Sequence, residues 1–283
     1  MVPDSYERPV DLEHALTLLA GGPRQVLAGG TDVYPALGDH GVLGPVLDVT
    51  AIPNLSGISD EGDHWRIGAT TAWSDLLGTE LPDSFDCLKL AAREVGGIQI
   101  QNAGTIAGNL CNASPAADGV PPLLALDACV ELSSIRGCRE LALEAFITGP
   151  RQTELAADEL LSAVLIPKSG AQGVSSFLKL GSRKYLVISI AMVAVVLEPT
   201  SDRTIKNLSV SVGSCSAVAC RLRDLEADLQ GCSLENLAQS PFEDRFFAPL
   251  SPIDDVRSSA RYRLDAAAEL VRRAILVCAE ALL

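Results

Sequence analysis

The chain has 283 residues, 48% of them hydrophobic and 20% charged, with a formal net charge of −14. That length and apolar share supply a core for two modest domains and exclude an intrinsically disordered chain. The acid excess excludes nucleic acid and anionic lipid as partners, and it leaves any phosphate ligand to be drawn in by local amides rather than by overall charge.

In chain order, residues 11–20 read as a helix. Asp11 caps it, Leu12, Ala15, Leu16 and Leu19 fall at helical spacing, and Gly21-Gly22 stops it. A short strand then runs into LAGGTD (Leu27 to Asp32), and another spans Val46 to Val49. Trp65 to Thr71 alternates like a half-buried strand. Ser84 to Val95 is helical in pattern and ends at Gly96-Gly97. A second glycine-rich string, TIAGNLCNASPAADGVPP (Thr105 to Pro122), opens into a helix from Pro121, with Asp118 as its expected N-cap. Strands are expected at Ala128–Leu132 and Ser162–Ile166, followed by a linker over 168–173. Beyond it come strands at Ser175–Leu180, Ile188–Leu197 and Lys206–Val212, then helices at Leu222–Leu229 and Arg261–Leu282. In the last helix Leu264, Ala268, Val271, Ile275, Cys278 and Leu282 share one face.

This pattern implies an α+β fold in two parts, 1–168 and 174–283, the first divided near residue 55. The N-terminal MVPDSYERP has neither a basic nor an apolar leader region, and the longest apolar run, Tyr185 to Leu197, is thirteen residues, too short to span a bilayer. A cytoplasmic protein is expected. The eight cysteines include no C-x-x-C pair, and the three histidines have no ligand spacing, so no metal site is expected and the thiols read as reduced and mostly buried. Cys111 differs by lying inside the second glycine string.

No G-x-G-x-x-G follows the first strand, and there is no G-x-x-x-x-G-K-[ST] loop. What the two glycine strings offer is backbone N–H groups with little side-chain bulk, the requirement for holding a phosphate. Thr105, Asn109 and Ser114 add polar groups for ribitol or phosphate oxygens, and Asp118 adds an acceptor for sugar hydroxyls. Lys179 reads either as an ordinary strand lysine or as a cation near a bound ring, and Leu160 and Leu161 read equally as core.

LAGGTD, QIQNAGTIAGNLCNASPAADGVPPLLALDA, FITGPRQTELAADELLSAVLIP, FLKLGSRK and SPIDDVRSSARYR, in that order, resemble the FAD-binding medium subunit of the molybdenum hydroxylases. That family includes the flavoprotein subunits of xanthine dehydrogenase, aerobic carbon monoxide dehydrogenase and nicotinate dehydrogenase. The resemblance implies a vanillyl-alcohol-oxidase-type FAD domain of two subdomains, followed by a smaller α+β domain with a three-stranded sheet and helices. It also implies that the FAD pyrophosphate lies on Leu27, Ala28, Gly29, Gly30, Thr31 and Asp32. The flavin side would fall to Thr105, Ile106, Ala107, Gly108 and Asn109, with Ser114 and Asp118 as polar contacts. Leu160 or Leu161 would be an apolar wall, and Lys179 a cation tuning the flavin potential. The flavin would carry the chemistry, with no catalytic side chain.

The implied function is electron transfer. Electrons from iron–sulfur clusters of a partner would pass through FAD to NAD, a quinone or another acceptor. The implied partners are a large molybdopterin subunit and a small 2Fe–2S subunit, assembled as a dimer of heterotrimers. Two positions depart from the family pattern: Ala107 stands where a glycine is usual, and Gln101 where an arginine is usual. A methyl at 107 fits close to a ligand only if φ there is negative. Two other readings stay open on the residues themselves, a flavin-free paralogue serving as an assembly module and a stand-alone FAD oxidoreductase.

Overall fold

The computed structural model describes residues 5–38, 44–240 and 242–283. Asp11 accepts from the His14 N–H as the N-cap of helix Leu12–Ala20, and Gly21 ends it. The helix buries Ala15, Leu16 and Leu19 against Leu47, Val49, Ile52, Leu55 and Leu160. Beneath it lies a small parallel sheet in the order Tyr6–Glu7, Val46–Asp48, Gln25–Leu27. Because its strands are parallel, each connection crosses over, and the glycine string after Leu27 emerges at a strand's C-terminal end.

A second, antiparallel sheet has five strands in the order Ile58–Asp60, His64–Gly68, Leu160–Pro167, Cys129–Ser134, Gly137–Ala142. Strand Leu160–Pro167 is the central one and is buried almost throughout, which fits a sequence that is apolar except for Ser162. Helices Asp86–Glu94 and Val120–Ala125 pack on the next sheet and Ile106–Asn112 on the strand Leu160–Pro167 of this one, with Trp73–Gly78 and Ile98–Ala103 packed alongside. The expected helix from Ser84 is a 3-10 turn at Asp83–Phe85 followed by Asp86–Glu94.

The third sheet has the three long strands expected, Val174–Leu180, Ala191–Pro199 and Ile205–Gly213, plus a two-residue edge at Cys220–Arg221. Its middle strand alternates strictly. Ala191, Val193, Val195 and Leu197 face the C-terminal helix Ala260–Leu282, while Met192, Ala194 and Val196 join the core built around Trp73, Phe85 and Leu123. The core therefore runs on across residues 168–173. Ser84 Oγ donates to the Ala171 carbonyl at 2.8 Å, and the Cys87 N–H donates to Ser175 Oγ at 2.8 Å.

One local expectation needs correcting. Asp118 does not cap helix Val120–Ala125. Gly119 occupies the N-cap position without a side-chain bond, and the Asp118 carboxylate turns away to Lys179 and Ser189. A buried cation claims the carboxylate more strongly than a helix N-terminus does. No helix among the described residues is long and apolar enough to cross a membrane.

Candidate functional site

The first glycine string forms a loop where a β-ladder stops. The Leu27 carbonyl still accepts from the Val49 N–H at 3.0 Å. After it, none of the N–H groups of Ala28, Gly29, Gly30, Thr31, Asp32 and Val33 donates to a protein acceptor among the described residues. Gly30 has φ +69, the left-handed region that glycine enters freely. A β-carbon on Gly29 would lie 1.7 Å from the Ala103 carbonyl oxygen, so the loop lies directly against the turn at 103–104. A run of free amides bent around glycines is an anion-binding concavity.

The second string is built differently. Thr105 caps helix Ile106–Asn112, its hydroxyl accepting from the Gly108 N–H. The Ile106 and Ala107 N–H groups donate to the Thr71 and Ala69 carbonyls, and Asn109 N–H to the Thr105 carbonyl. The amides of residues 106–109 are thus committed to the fold, and what this stretch offers the cavity is surface and side chains. One group is left over: Asn109 Oδ1 is buried and has no hydrogen-bond partner. A buried acceptor without a donor is costly unless a ligand supplies one.

The two strings line one cavity of about 430 Å³, within the usual range for a small-molecule site. Of the residues expected there, Ala28, Gly29, Gly30, Thr31, Asp32, Thr105, Ala107, Gly108, Asn109, Leu160 and Leu161 line it. Five do not. Leu27 and Ile106 point into the core, at 5% and 2% exposure. Ser114 accepts from the Ala116 N–H at 3.3 Å instead. Asp118 and Lys179 pair with each other behind the cavity wall. Lys179 Nζ lies 2.8 Å from Asp118 Oδ2, and it also donates to the carbonyl of Glu94, the neighbour of cavity-lining Val95. Burial pushes the Asp118 carboxyl above its ordinary value, while the Lys179 charge and hydrogen bond and the Ser189 hydroxyl pull it back.

Residues without a sequence signal complete the walls: Thr70, Trp73, Val95, Ile100 and Leu155. Trp73 is one of two tryptophans, and no local motif marks it for the site. It is 2% exposed, and a β-carbon on Gly119 would meet its ring at 2.5 Å and Asn109 Oδ1 at 2.8 Å. Cys111 is exposed and opens onto the cavity, and desolvation by the surrounding protein pushes its thiol up to about 12. It is therefore a neutral wall at neutral pH. Asp32 and Cys111 are the only ionisable lining groups among the described residues.

The two departures from the family pattern resolve simply. Gln101 is buried and turned inward, its Nε2 donating to the Arg93 carbonyl at 3.1 Å, so it is not a cavity residue. Ala107 lies in a helical first turn without a positive φ, so its methyl is tolerated. Ala107→Gly is expected to lower stability by up to about 1 kcal/mol through helix propensity alone, and to change FAD affinity less than about threefold, as read by thermal melts and flavin titration.

The cavity fits FAD: free amides for a pyrophosphate, an unpartnered Asn109 oxygen for a donor, and apolar walls for a ring. Comparison with known proteins agrees along the whole chain. Residues 3–169 match the family described as the FAD binding domain in molybdopterin dehydrogenase, and residues 176–277 match the CO dehydrogenase flavoprotein C-terminal domain. The nicotine 6-hydroxylase medium subunit of Paenarthrobacter nicotinovorans is 32% identical, covering 95% of each chain. The xanthine dehydrogenase FAD-binding subunit of Escherichia coli O157:H7 is 29% identical over 96% of this chain and 94% of that one. In three dimensions, reconstituted CO dehydrogenase from Oligotropha carboxidovorans superposes with a TM-score of 0.89 at 26% identity over 99% of each chain. With an amide-lined cavity and both family models in order, the chain belongs to the FAD-binding medium-subunit family of the molybdenum hydroxylases.

Proposed function

We propose that this chain holds FAD with its pyrophosphate on the Ala28–Val33 amides and its flavin toward Thr105–Asn109, Leu161 and Trp73. The observation that carries the reading is the run of free amides facing the cavity. With no cation lining the cavity among the described residues, the amides and loop shape must hold a diphosphate. Bound FAD supplies one- and two-electron redox chemistry, so the protein's task is to bind, orient and tune. Lys179 and Asp118 act from behind the wall, as a field on the flavin rather than through contact. A stand-alone oxidoreductase would need an acid or base beside its substrate; Asp32 and Cys111, the ionisable lining groups, stand too far toward the solvent or too high in pKa for that task.

The partners we infer are a large molybdopterin subunit that selects the substrate and a small 2Fe–2S subunit that delivers electrons, arranged as a dimer of heterotrimers. Relatives named as medium subunits and medium chains of dehydrogenases support this. We also infer a division into 1–168 and 174–283, supported by the limits of the two family matches. A reducing, cytoplasmic setting fits the eight free cysteines.

The test is direct. The purified full chain, stripped of flavin, should take up FAD in a one-to-one ratio, turn yellow and quench flavin fluorescence, with riboflavin binding at least a hundredfold more weakly because it lacks the diphosphate. No saturable FAD uptake would overturn the reading in favour of a flavin-free module. Equal affinity for riboflavin would overturn the role of the first loop.

A further inference from the structure

Three arginine and aspartate side chains near the start of the C-terminal helix reach back toward the flavin cavity. Arg263 is 1% exposed. It donates to the Ile190 carbonyl at 2.6 Å and the Ser214 carbonyl at 3.2 Å, and it pairs with Asp255 at 2.7 Å. Arg257 grips the same Asp255 carboxylate through its guanidinium and its own N–H, and extends a further donor to the Ser189 carbonyl at 3.4 Å. One aspartate thus clamps two arginines, and each holds a backbone carbonyl of the 189–190 pair.

Ser189 is fully buried. Its hydroxyl donates to Asp118 Oδ1 at 2.9 Å, while Lys179 holds Asp118 Oδ2 at 2.8 Å. Asp118 adjoins Gly119, whose backbone lies against Asn109 Oδ1 and Trp73, both in the cavity wall. The chain of contacts is unbroken, from the C-terminal helix through Ser189 to the ion pair behind the flavin site. The hydroxyl and the ammonium therefore hold different oxygens of one carboxylate, and the hydroxyl keeps Oδ1 turned from the ammonium. That fixes how closely the cation is neutralised, and therefore how much of its field escapes into the cavity.

We propose that Ser189, held by Arg257 and Arg263, is a positioning residue that sets the flavin's redox balance by dividing the Asp118 carboxylate between a hydroxyl and Lys179. The proposal rests on the FAD reading above. Without the hydroxyl, Asp118 Oδ1 loses its donor and is free to turn toward Lys179. The positive field in the cavity then weakens, and the anionic reduced flavin loses stabilisation. Arg257 acts one step further back. Its loss lets the 189–190 backbone shift and has the same sign with a smaller size.

The experiment uses the full chain reconstituted with FAD, comparing wild type, Ser189→Ala, Ser189→Thr and Arg257→Ala. At a fixed solution potential near the wild-type midpoint, Ser189→Ala should raise the oxidised-to-reduced flavin ratio at least threefold, and Arg257→Ala should raise it by a smaller factor. Ser189→Thr, which keeps the hydroxyl, should stay within about a factor of 1.5 of wild type. Thermal melts run alongside, because a purely structural network would lower the melting temperature and leave this ratio unmoved. An unchanged or lowered ratio in Ser189→Ala overturns the proposal. If that variant does not fold, Arg257→Ala, which removes a side chain that is 33% exposed, decides in the same way. Failure of the wild type to take up FAD would instead overturn the underlying reading, so the two failures are told apart by the wild-type control.

Discussion

Gly29→Ala is expected to weaken FAD binding at least a hundredfold, about 2.7 kcal/mol, with the purified protein colourless. The added methyl would sit 1.7 Å from the Ala103 carbonyl oxygen and 2.5 Å from its carbon. Both are backbone atoms, and the turn that carries them cannot retreat. The Gly104 N–H is bonded to the Ile100 carbonyl at 2.6 Å, and the Gly104 carbonyl accepts from Trp73 N–H at 3.2 Å. The loop itself must move, and with it the free amides of 28–33. Overpacking against rigid neighbours costs about 1–3 kcal/mol and sometimes more, and here it falls on the amides proposed to hold the diphosphate. Gly78→Ala is the matched control, since a β-carbon there meets nothing within 4 Å. Flavin titration and circular dichroism of both variants check the result. A Gly29→Ala variant that binds FAD as tightly as wild type would refute the role given to this loop.

Lys179→Met is expected to lower stability by about 3–5 kcal/mol, the usual consequence of leaving one charge of a buried pair behind, or roughly 10 °C in melting temperature for a chain of this size. The lysine and aspartate side chains are only 6% and 12% exposed. Burial already holds the Asp118 carboxyl above its ordinary value, and Lys179 is the main group pulling it down. Without the cation it rises further. An aspartate raised in the folded state binds its proton more tightly there than in the unfolded chain. Its penalty is therefore full at pH above the raised value and is relieved as pH falls through it. The stability gap between variant and wild type should be widest near pH 8 and narrow steadily on acidification toward pH 5. Asp118→Asn combined with Lys179→Met should recover part of the loss, because no unpaired charge remains. Melts across that range test both statements; a gap that widens on acidification would show that Asp118 is not the group responsible.

Much of the architecture was legible because its signals are local. Asp11, the apolar spacing of Ala15, Leu16 and Leu19, and Gly21 define a helix within ten residues, and the structure has it at Leu12–Ala20. The continuous apolar run of the middle strand Ala191–Pro199 and the long amphipathic run to Leu282 are equally self-contained. The short helices Trp73–Gly78 and Ile98–Ala103 carried no such signal, since a few residues hold too few apolar positions to show a period. For the site, the motifs led to eleven lining residues but also to Asp118 and Lys179, which stand behind the wall, and they passed over Trp73, Val95 and Leu155.

By itself the sequence determined the kind of molecule: an acidic α+β chain with two glycine strings, ordered motifs of a flavoprotein subunit, and no local metal-ligand spacing. Composition, periodicity and motif order are properties of neighbours along the chain. Only the tertiary structure decided which glycine string keeps its amides free. The N–H groups of Ile106 and Ala107 are taken by Thr71 and Ala69, carbonyls from far earlier in the chain, while those of Ala28 to Val33 meet no such partner among the described residues. Whether a donor is available to a ligand depends on which acceptor the fold brings within about 3 Å, and that is a non-local fact. The same holds for Asp118, a helix cap by its neighbours and one half of a buried ion pair by its contacts.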